Sequence, residues 1–163
     1  MIVGQDAVSY GSPPAGGGSW RAAMLREVGS RLPQERVHFL GGLPYADYLR
    51  VLQVSACHVY LTYPFVLSWS CMEALSAGCT VVGSRTGPVE EVITDGKTGR
   101  LVDFFDIDGL SRCVVEVLEN PKDHAHMGAA ARSLMQRAYD INHCLAGQLA
   151  ILLPQKGDVA RVP

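Results

Sequence analysis

The sequence predicts an α/β protein, a doubly wound parallel sheet of about five strands with helices on both faces. Three observations carry that prediction. Apolar runs of strand length alternate with segments of helical period along most of the chain. Runs such as Cys57-His58-Val59-Tyr60-Leu61-Thr62 and Thr80-Val81-Val82-Gly83 are rich in apolar β-formers throughout, the pattern of strands covered on both faces. Glycine, proline and aspartate separate the runs at intervals that suit strand–helix–strand connections.

Taken in order, Met1 to Gly4 predicts the end of a strand. Gly11-Ser12-Pro13-Pro14-Ala15-Gly16-Gly17-Gly18-Ser19 predicts a long mobile loop, because its prolines fix φ and remove donors while its glycines loosen the chain. Trp20 to Arg31 fits a helix with Ser19 as N-cap and Pro33 beyond its end. Val37-His38-Phe39-Leu40 predicts a short strand stopping at Gly41-Gly42. Tyr45 to Val54 places Tyr48, Leu49 and Leu52 at helical spacing. Cys57 to Thr62 predicts a strand ending before Pro64. Cys71 to Ala77 predicts a helix, with Gly78 supplying the positive φ of a C′ position. Thr80 to Gly83 predicts a buried strand, and Pro88 to Ile93 a short helix with proline in its first turn. Asp95-Gly96-Lys97-Thr98-Gly99 is a turn before a last short strand, Arg100-Leu101-Val102. Asp106 or Asp108 caps a helix reaching Glu119, Pro121 opens another to about Ala138, and Asn142 to Leu152 is helical. Residues 154–163 form a polar tail expected to fray.

The chain has 163 residues, 48% hydrophobic and 18% charged, which suffices for one domain and is short for two. The expected organisation is a single domain over residues 1–153 followed by the tail. The net charge of -2 gives no electrostatic case for nucleic acid or an acidic membrane surface. No apolar stretch approaches the ~18 residues of a membrane span. Met1 to Asp6 lacks the basic and apolar regions of a secretory signal. The five cysteines, Cys57, Cys71, Cys79, Cys113 and Cys144, are odd in number and contain no C-x-x-C pair, so a reducing cytosol is the expected compartment. An apolar strand at the very start, with no cap before it, predicts a piece of a longer protein.

The stretch from Tyr63 to Gly78 carries the chemistry. It leaves a strand and enters a helix, and ligands of doubly wound sheets bind at the carboxyl ends of strands. Ser68 and Ser70 are both candidate N-caps, and the free amides of a helix start suit an anion such as a diphosphate. Glu73, expected in the first turn, could accept hydrogen bonds from vicinal hydroxyls, as acidic residues do for ribose. The plainer reading stays open beside this one: serine as a cap and Glu73 as its capping-box partner. Trp69 could meet a ligand or pack into the core.

This stretch, together with Val81-Val82-Gly83-Ser84-Arg85-Thr86-Gly87-Pro88-Val89-Glu90-Glu91-Val92-Ile93 and Asp95-Gly96-Lys97-Thr98-Gly99-Arg100-Leu101-Val102, resembles the carboxyl-terminal domain of GT-B glycosyltransferases of the group-1, family-4 type. Val37 to Gly41 and Tyr48 to Thr62 resemble its preceding strand–helix–strand, so the likeness runs from about Met1 to Leu152. The resemblance implies a Rossmann-like GT-B half that binds a nucleotide diphosphate sugar, with no other cofactor and no metal. It implies Glu73 at the ribose and Ser68, Trp69 and Ser70 in the loop whose amides meet the diphosphate. It places Gly41 to Leu43 beside the base and Gly4 at a strand end near the cleft. By family analogy Glu91 is a cleft-side residue.

Two departures matter. The family usually has a second glutamate eight positions before Glu73, in contact with the transferred sugar, and this chain has Phe65 there. A bacterial branch of the family carries a similar Phe-Val-Leu-Ser-Trp-Ser segment. The family's basic pair that neutralises the leaving diphosphate, and its amino-terminal acceptor domain, have no counterpart in these residues. Transfer needs both the diphosphate charge stabilised and the acceptor held. The chain alone is therefore expected to be inactive, while weak donor binding survives. The alternative is a non-catalytic nucleotide or sugar-phosphate binding module. A receiver-type signalling domain is excluded, since the strand ending Leu61-Thr62 offers no acceptor aspartate.

Other groups are weaker candidates. His124 and His126, two apart on a predicted helix, point to different faces, which argues against a metal site. His58 is expected in strand packing and His143 at the surface. Cys71, at a helix start, could have a lowered thiol pKa, but no positioned histidine accompanies it. Gly16-Gly17-Gly18 lacks the Lys-Ser/Thr of a phosphate loop.

Overall fold

The protein is described by a computed structural model that covers residues 1–7, 12–63 and 66–153. Phe65 and the tail after Leu153 lie outside the described residues. Two compact units make up the chain, Met1–Val51 and the remainder from Leu52.

In the first unit, β1 (Ile2–Val3) pairs in parallel with β2 (Phe39–Gly41), with Ile2 opposite Phe39 and Val3 opposite Gly41. The register shifts by a residue between these pairs, and the Gly4 amide continues the ladder by donating to the Gly41 carbonyl at 2.9 Å. Helix α1 (Trp20–Val28) starts where expected, because the Ser19 hydroxyl accepts from the Ala22 amide. It stops at Gly29 and tightens into a 3-10 turn, Gly29–Arg31, before Pro33. Pro14 is buried, the Trp20 indole donates to the Ser12 carbonyl at 3.1 Å, and Gly16, Gly17 and Gly18 each take the positive φ that only glycine adopts cheaply. Helix α2 (Tyr45–Gln53) carries the chain out of this unit.

In the second unit, β3 (His58–Tyr60), β4 (Val81–Ser84) and β5 (Arg100–Val102) form a parallel sheet in the order β3-β4-β5. Helices α3 (Trp69–Ala77) and α4 (Gly87–Glu90) lie in the connections between these strands. Helices α5 (Ile107–Glu119), α6 (Pro121–Ala138) and α7 (Ile141–Leu152) follow. The core holds Leu75 of α3, Val81 and Val82 of β4, Val89 of α4, Ile93, Val117 of α5 and Met127 of α6, all essentially without solvent contact. Every residue of β4 is buried, as its apolar run predicts for the central strand.

Parallel strands between helices confirm the α/β class. Among the described residues, however, the five strands make two ladders rather than one sheet. Apolar runs reveal where strands lie and say nothing about which strands pair. A second difference bears on the site. Helix α3 begins at Trp69, two residues earlier than expected, so its N-cap is Ser68, and Ser70 lies within the first turn.

Candidate functional site

The carboxyl ends of β3 and β4 and the start of α3 bring most of the expected site residues together. After Tyr60 the backbone of β3 leaves the ladder, whose last register pair is Tyr60 and Gly83. Two hydroxyls then take over. Ser84 Oγ donates to the Thr62 carbonyl at 2.8 Å and accepts from the Thr62 amide at 3.0 Å. Tyr60, from the strand itself, accepts a hydrogen bond on its phenol oxygen from the Ser68 amide at 3.1 Å. Both ends of the connection into α3 are thereby tied to the sheet.

At the helix start the Ser68 and Ser70 hydroxyls lie 2.6 Å apart, and Ser68 makes no side-chain cap bond. The Cys71 amide turns back to the Ser68 carbonyl, and the first amides of any α-helix have no partner within it. Two small hydroxyls thus stand beside such amides, and the positive end of a helix favours an anion. Trp69 is 86% exposed, which removes core packing as its role.

Glu73 falls in the second turn of α3, because the helix starts early; the first turn holds no acidic residue. The capping box with Ser70 therefore does not form. The half-buried Glu73 carboxylate makes no hydrogen bond or ion pair among the described residues. The Cys71 thiol, which a helix start could have lowered, is instead raised. Cys71 has no exposure, and burial pushes its thiol up to about 12, which leaves it a small hydrophobe. Burial likewise pushes Cys57 up to about 11.

The remaining expected residues belong to the first unit. Gly4 and Gly41 are joined by the strand-end hydrogen bond and adopt φ of 142° and 66°; Leu43 follows two residues later and is half-buried.

Around β4 and β5 a chain of ion pairs holds the turn Asp95 to Gly99. Arg85 reaches Asp95 at 3.1 Å, Asp95 meets Arg100 at 3.4 Å, and Arg100 meets Glu116 at 3.0 Å. Asp95 is partly desolvated, yet the Leu101 amide and the two guanidinium groups hold its carboxyl below the usual range. Glu90 stands 3.7 Å from Arg85, and Glu91 is exposed at the end of α4. His124 turns to Glu116 and His126 to the Asp123 and Gly96 carbonyls, so the two rings do not converge. Among the described residues no three acidic, histidine or cysteine side chains are placed to hold a metal, and no helix is long and apolar enough to cross a membrane.

Residues 2–134 match the model of the glycosyl transferases group 1, and the chain belongs to that family. It is 41% identical over 61 residues to a GDP-mannose-dependent α-(1-6)-phosphatidylinositol monomannoside mannosyltransferase of Mycolicibacterium smegmatis, covering 37% of this chain and 16% of that one. It is 30% identical over 118 residues to a GDP-mannose-dependent monoacylated α-(1-6)-phosphatidylinositol monomannoside mannosyltransferase of Corynebacterium glutamicum, covering 67% and 30%. Among solved structures it resembles HepE of Anabaena in complex with UDP and glucose, at a TM-score of 0.71 and 18% identity, over 91% of this chain and 39% of that one. That likeness establishes the Rossmann-like fold of a GT-B half. The chain spans less than a third of the length of the two curated relatives.

Sequence reasoning passed over Tyr60 and Ser84, which shape the site without belonging to the expected set. One signal was present: Ser84 is the single hydroxyl at the end of the apolar run Val81-Val82-Gly83-Ser84, and a polar group there needs a partner once buried.

Proposed function

We propose that this chain is the donor-binding half of a retaining, family-4-type glycosyltransferase, which moves a sugar from a nucleotide diphosphate sugar to an acceptor. The observation that supports this most is the start of α3, where free amides, the Ser68 and Ser70 hydroxyls and an unpartnered Glu73 carboxylate occur within two turns. In this reading the amides of Trp69 and Ser70 receive the diphosphate beside the Ser68 hydroxyl, the Ser68 amide being taken by Tyr60, and Glu73 holds the ribose hydroxyls. The base meets Gly41 to Leu43, and Gly4 closes its strand nearby. The helix amides supply the positive end that a metal supplies elsewhere, so donor binding needs no metal. An amino-terminal acceptor domain and a basic pair belong to the longer parent, and this chain alone binds without transferring. Five free cysteines suit a cytoplasmic setting.

A second reading, a non-catalytic nucleotide or sugar-phosphate module, has one observation in its favour: Phe65 stands where the family carries its sugar-contacting glutamate. Sugar nucleotides binding no better than the free diphosphates would favour it.

Isothermal titration with UDP, GDP and ADP, in the presence of EDTA, tests the donor site. One nucleotide should bind saturably, and Glu73→Ala should weaken it by roughly 1–3 kcal/mol, the scale of a lost charge-assisted hydrogen bond. Equal affinity in wild type and Glu73→Ala removes Glu73 from the ribose.

A further inference from the structure

We infer that Tyr60 and Ser84 are positioning residues for the donor site, acting through the backbone at the two ends of the connection between β3 and α3. The inference rests on the donor reading above and deepens it. It starts from the place where the β3–β4 ladder stops. Two residues past the last register pair, at Thr62, the strand's own amide and carbonyl would ordinarily need a new partner. Ser84 Oγ satisfies both at once, accepting from the Thr62 amide at 3.0 Å and donating to its carbonyl at 2.8 Å. A side chain thus copies the two-point pairing of a strand neighbour. The backbone of Ser84 is meanwhile in register with Val102 of β5, and the next amide, Arg85, donates to the Val102 carbonyl at 2.7 Å. Ser84 is therefore held in register with β5 while its side chain serves Thr62.

The other end is held differently. The Ser68 amide sits at the N-cap of α3 and donates to the Tyr60 hydroxyl at 3.1 Å. Tyr60 is itself buried in the strand that leads into the connection, so its ring works as a strut between β3 and the first turn of α3. Ser84 is 0% exposed. Neither hydroxyl is presented to a ligand. Both fix backbone, and the backbone they fix carries Ser68, Trp69 and Ser70. Hydroxyls rather than apolar groups at these two buried positions serve orientation, since a buried hydroxyl gains little net stability from its hydrogen bond.

The test uses the whole chain, labelled with nitrogen-15, as wild type, Tyr60→Phe and Ser84→Ala, each of which removes one oxygen and little volume. Amide hydrogen exchange and nucleotide titration are measured on all three. Tyr60→Phe should raise exchange at Ser68 and Ser84→Ala at Thr62, each by about tenfold, while amides of β4, α5 and α6 keep their protection. Nucleotide affinity should fall about five- to tenfold in each, the scale of one lost neutral hydrogen bond. Unchanged exchange at Ser68 and Thr62 overturns the inference. So does protection lost evenly over β3, β4 and β5, which makes the two residues ordinary parts of the fold. Wild type that binds no nucleotide defeats the donor reading, and the exchange data still decide whether these hydroxyls hold the connection.

Discussion

Gly128→Ala is the substitution whose outcome the packing predicts against ordinary expectation. Gly128 lies inside α6, where exchanging glycine for alanine usually stabilises by about 1 kcal/mol through helix propensity. Here α6 crosses the end of α3, and Gly78 closes α3 with a left-handed φ of 82°. A Cβ on Gly128 would stand 3.0 Å from the Gly78 carbonyl carbon, closer still to its oxygen, and 3.4 Å from the Cys79 carbonyl carbon. All three obstacles are backbone, so no side chain can swing aside. Relief requires α6 to move outward from α3, which loosens the packing of two helices whose Leu75, Met127 and Ala131 are all buried. Overpacking of this kind costs about 1–3 kcal/mol, and its upper end is appropriate because neither helix can yield locally. Subtracting the propensity gain leaves about 1–2 kcal/mol of destabilisation, or a Tm lowered by roughly 2–8 °C at this chain length. Gly147→Ala in α7 is the control, since nothing lies within 4 Å of its added Cβ. It should leave Tm unchanged or raise it. Thermal unfolding by circular dichroism reads both, and a Gly128→Ala variant as stable as wild type refutes the packing argument.

Two further outcomes follow from titratable groups that the fold shields from water. Burial lowers the pKa of His58 below its ordinary 6.5, so the folded state takes up a proton less readily than the unfolded chain. The stability this protects is complete above the ordinary value and is lost as pH falls through 6.5 toward the folded value. The urea midpoint should drop between about pH 7.5 and about pH 5.5, and His58→Gln should flatten the drop. Asp95 acts in a separate window, because its lowered pKa costs stability only as pH falls below its ordinary 3.8; an equal drop in His58→Gln contradicts the assignment. Cys71, buried with its thiol pushed up to about 12, should resist a thiol reagent in the native protein at mild alkaline pH and react after unfolding. Fast native labelling at Cys71 would show that the first turn of α3 opens readily.

Much of the fold was legible because its local signals agree with one another. Ser19, Gly78, Asp106 and Pro121 each sit at a helix boundary where a cap, a left-handed turn or a proline start was read from the residue type. The start of α3 was misread for a physical reason. Ser68 and Ser70 are both good caps, and spacing alone cannot choose between them. The structure chooses Ser68, whose amide Tyr60 holds from the neighbouring strand, a long-range contact invisible to local pattern. That two-residue change moves Glu73 into the second turn and dissolves the capping box that competed with its donor role. The same limit hid Ser84, whose partner Thr62 is 22 residues away. Pairing of the strands into ladders of two and three is likewise a tertiary outcome that apolar runs do not encode.

The central claim is that a nucleotide diphosphate binds at the start of α3. The most direct measurement is a titration of the nitrogen-15-labelled chain with UDP and GDP, followed by amide shifts. The account predicts saturable shifts at Trp69, Ser70, Cys71 and Glu73 for one of the two nucleotides, and in Glu73→Ala the shifts of the remaining amides saturate only at a higher concentration. Shifts confined to other parts of the chain, or shifts that persist unchanged in Glu73→Ala, would contradict it.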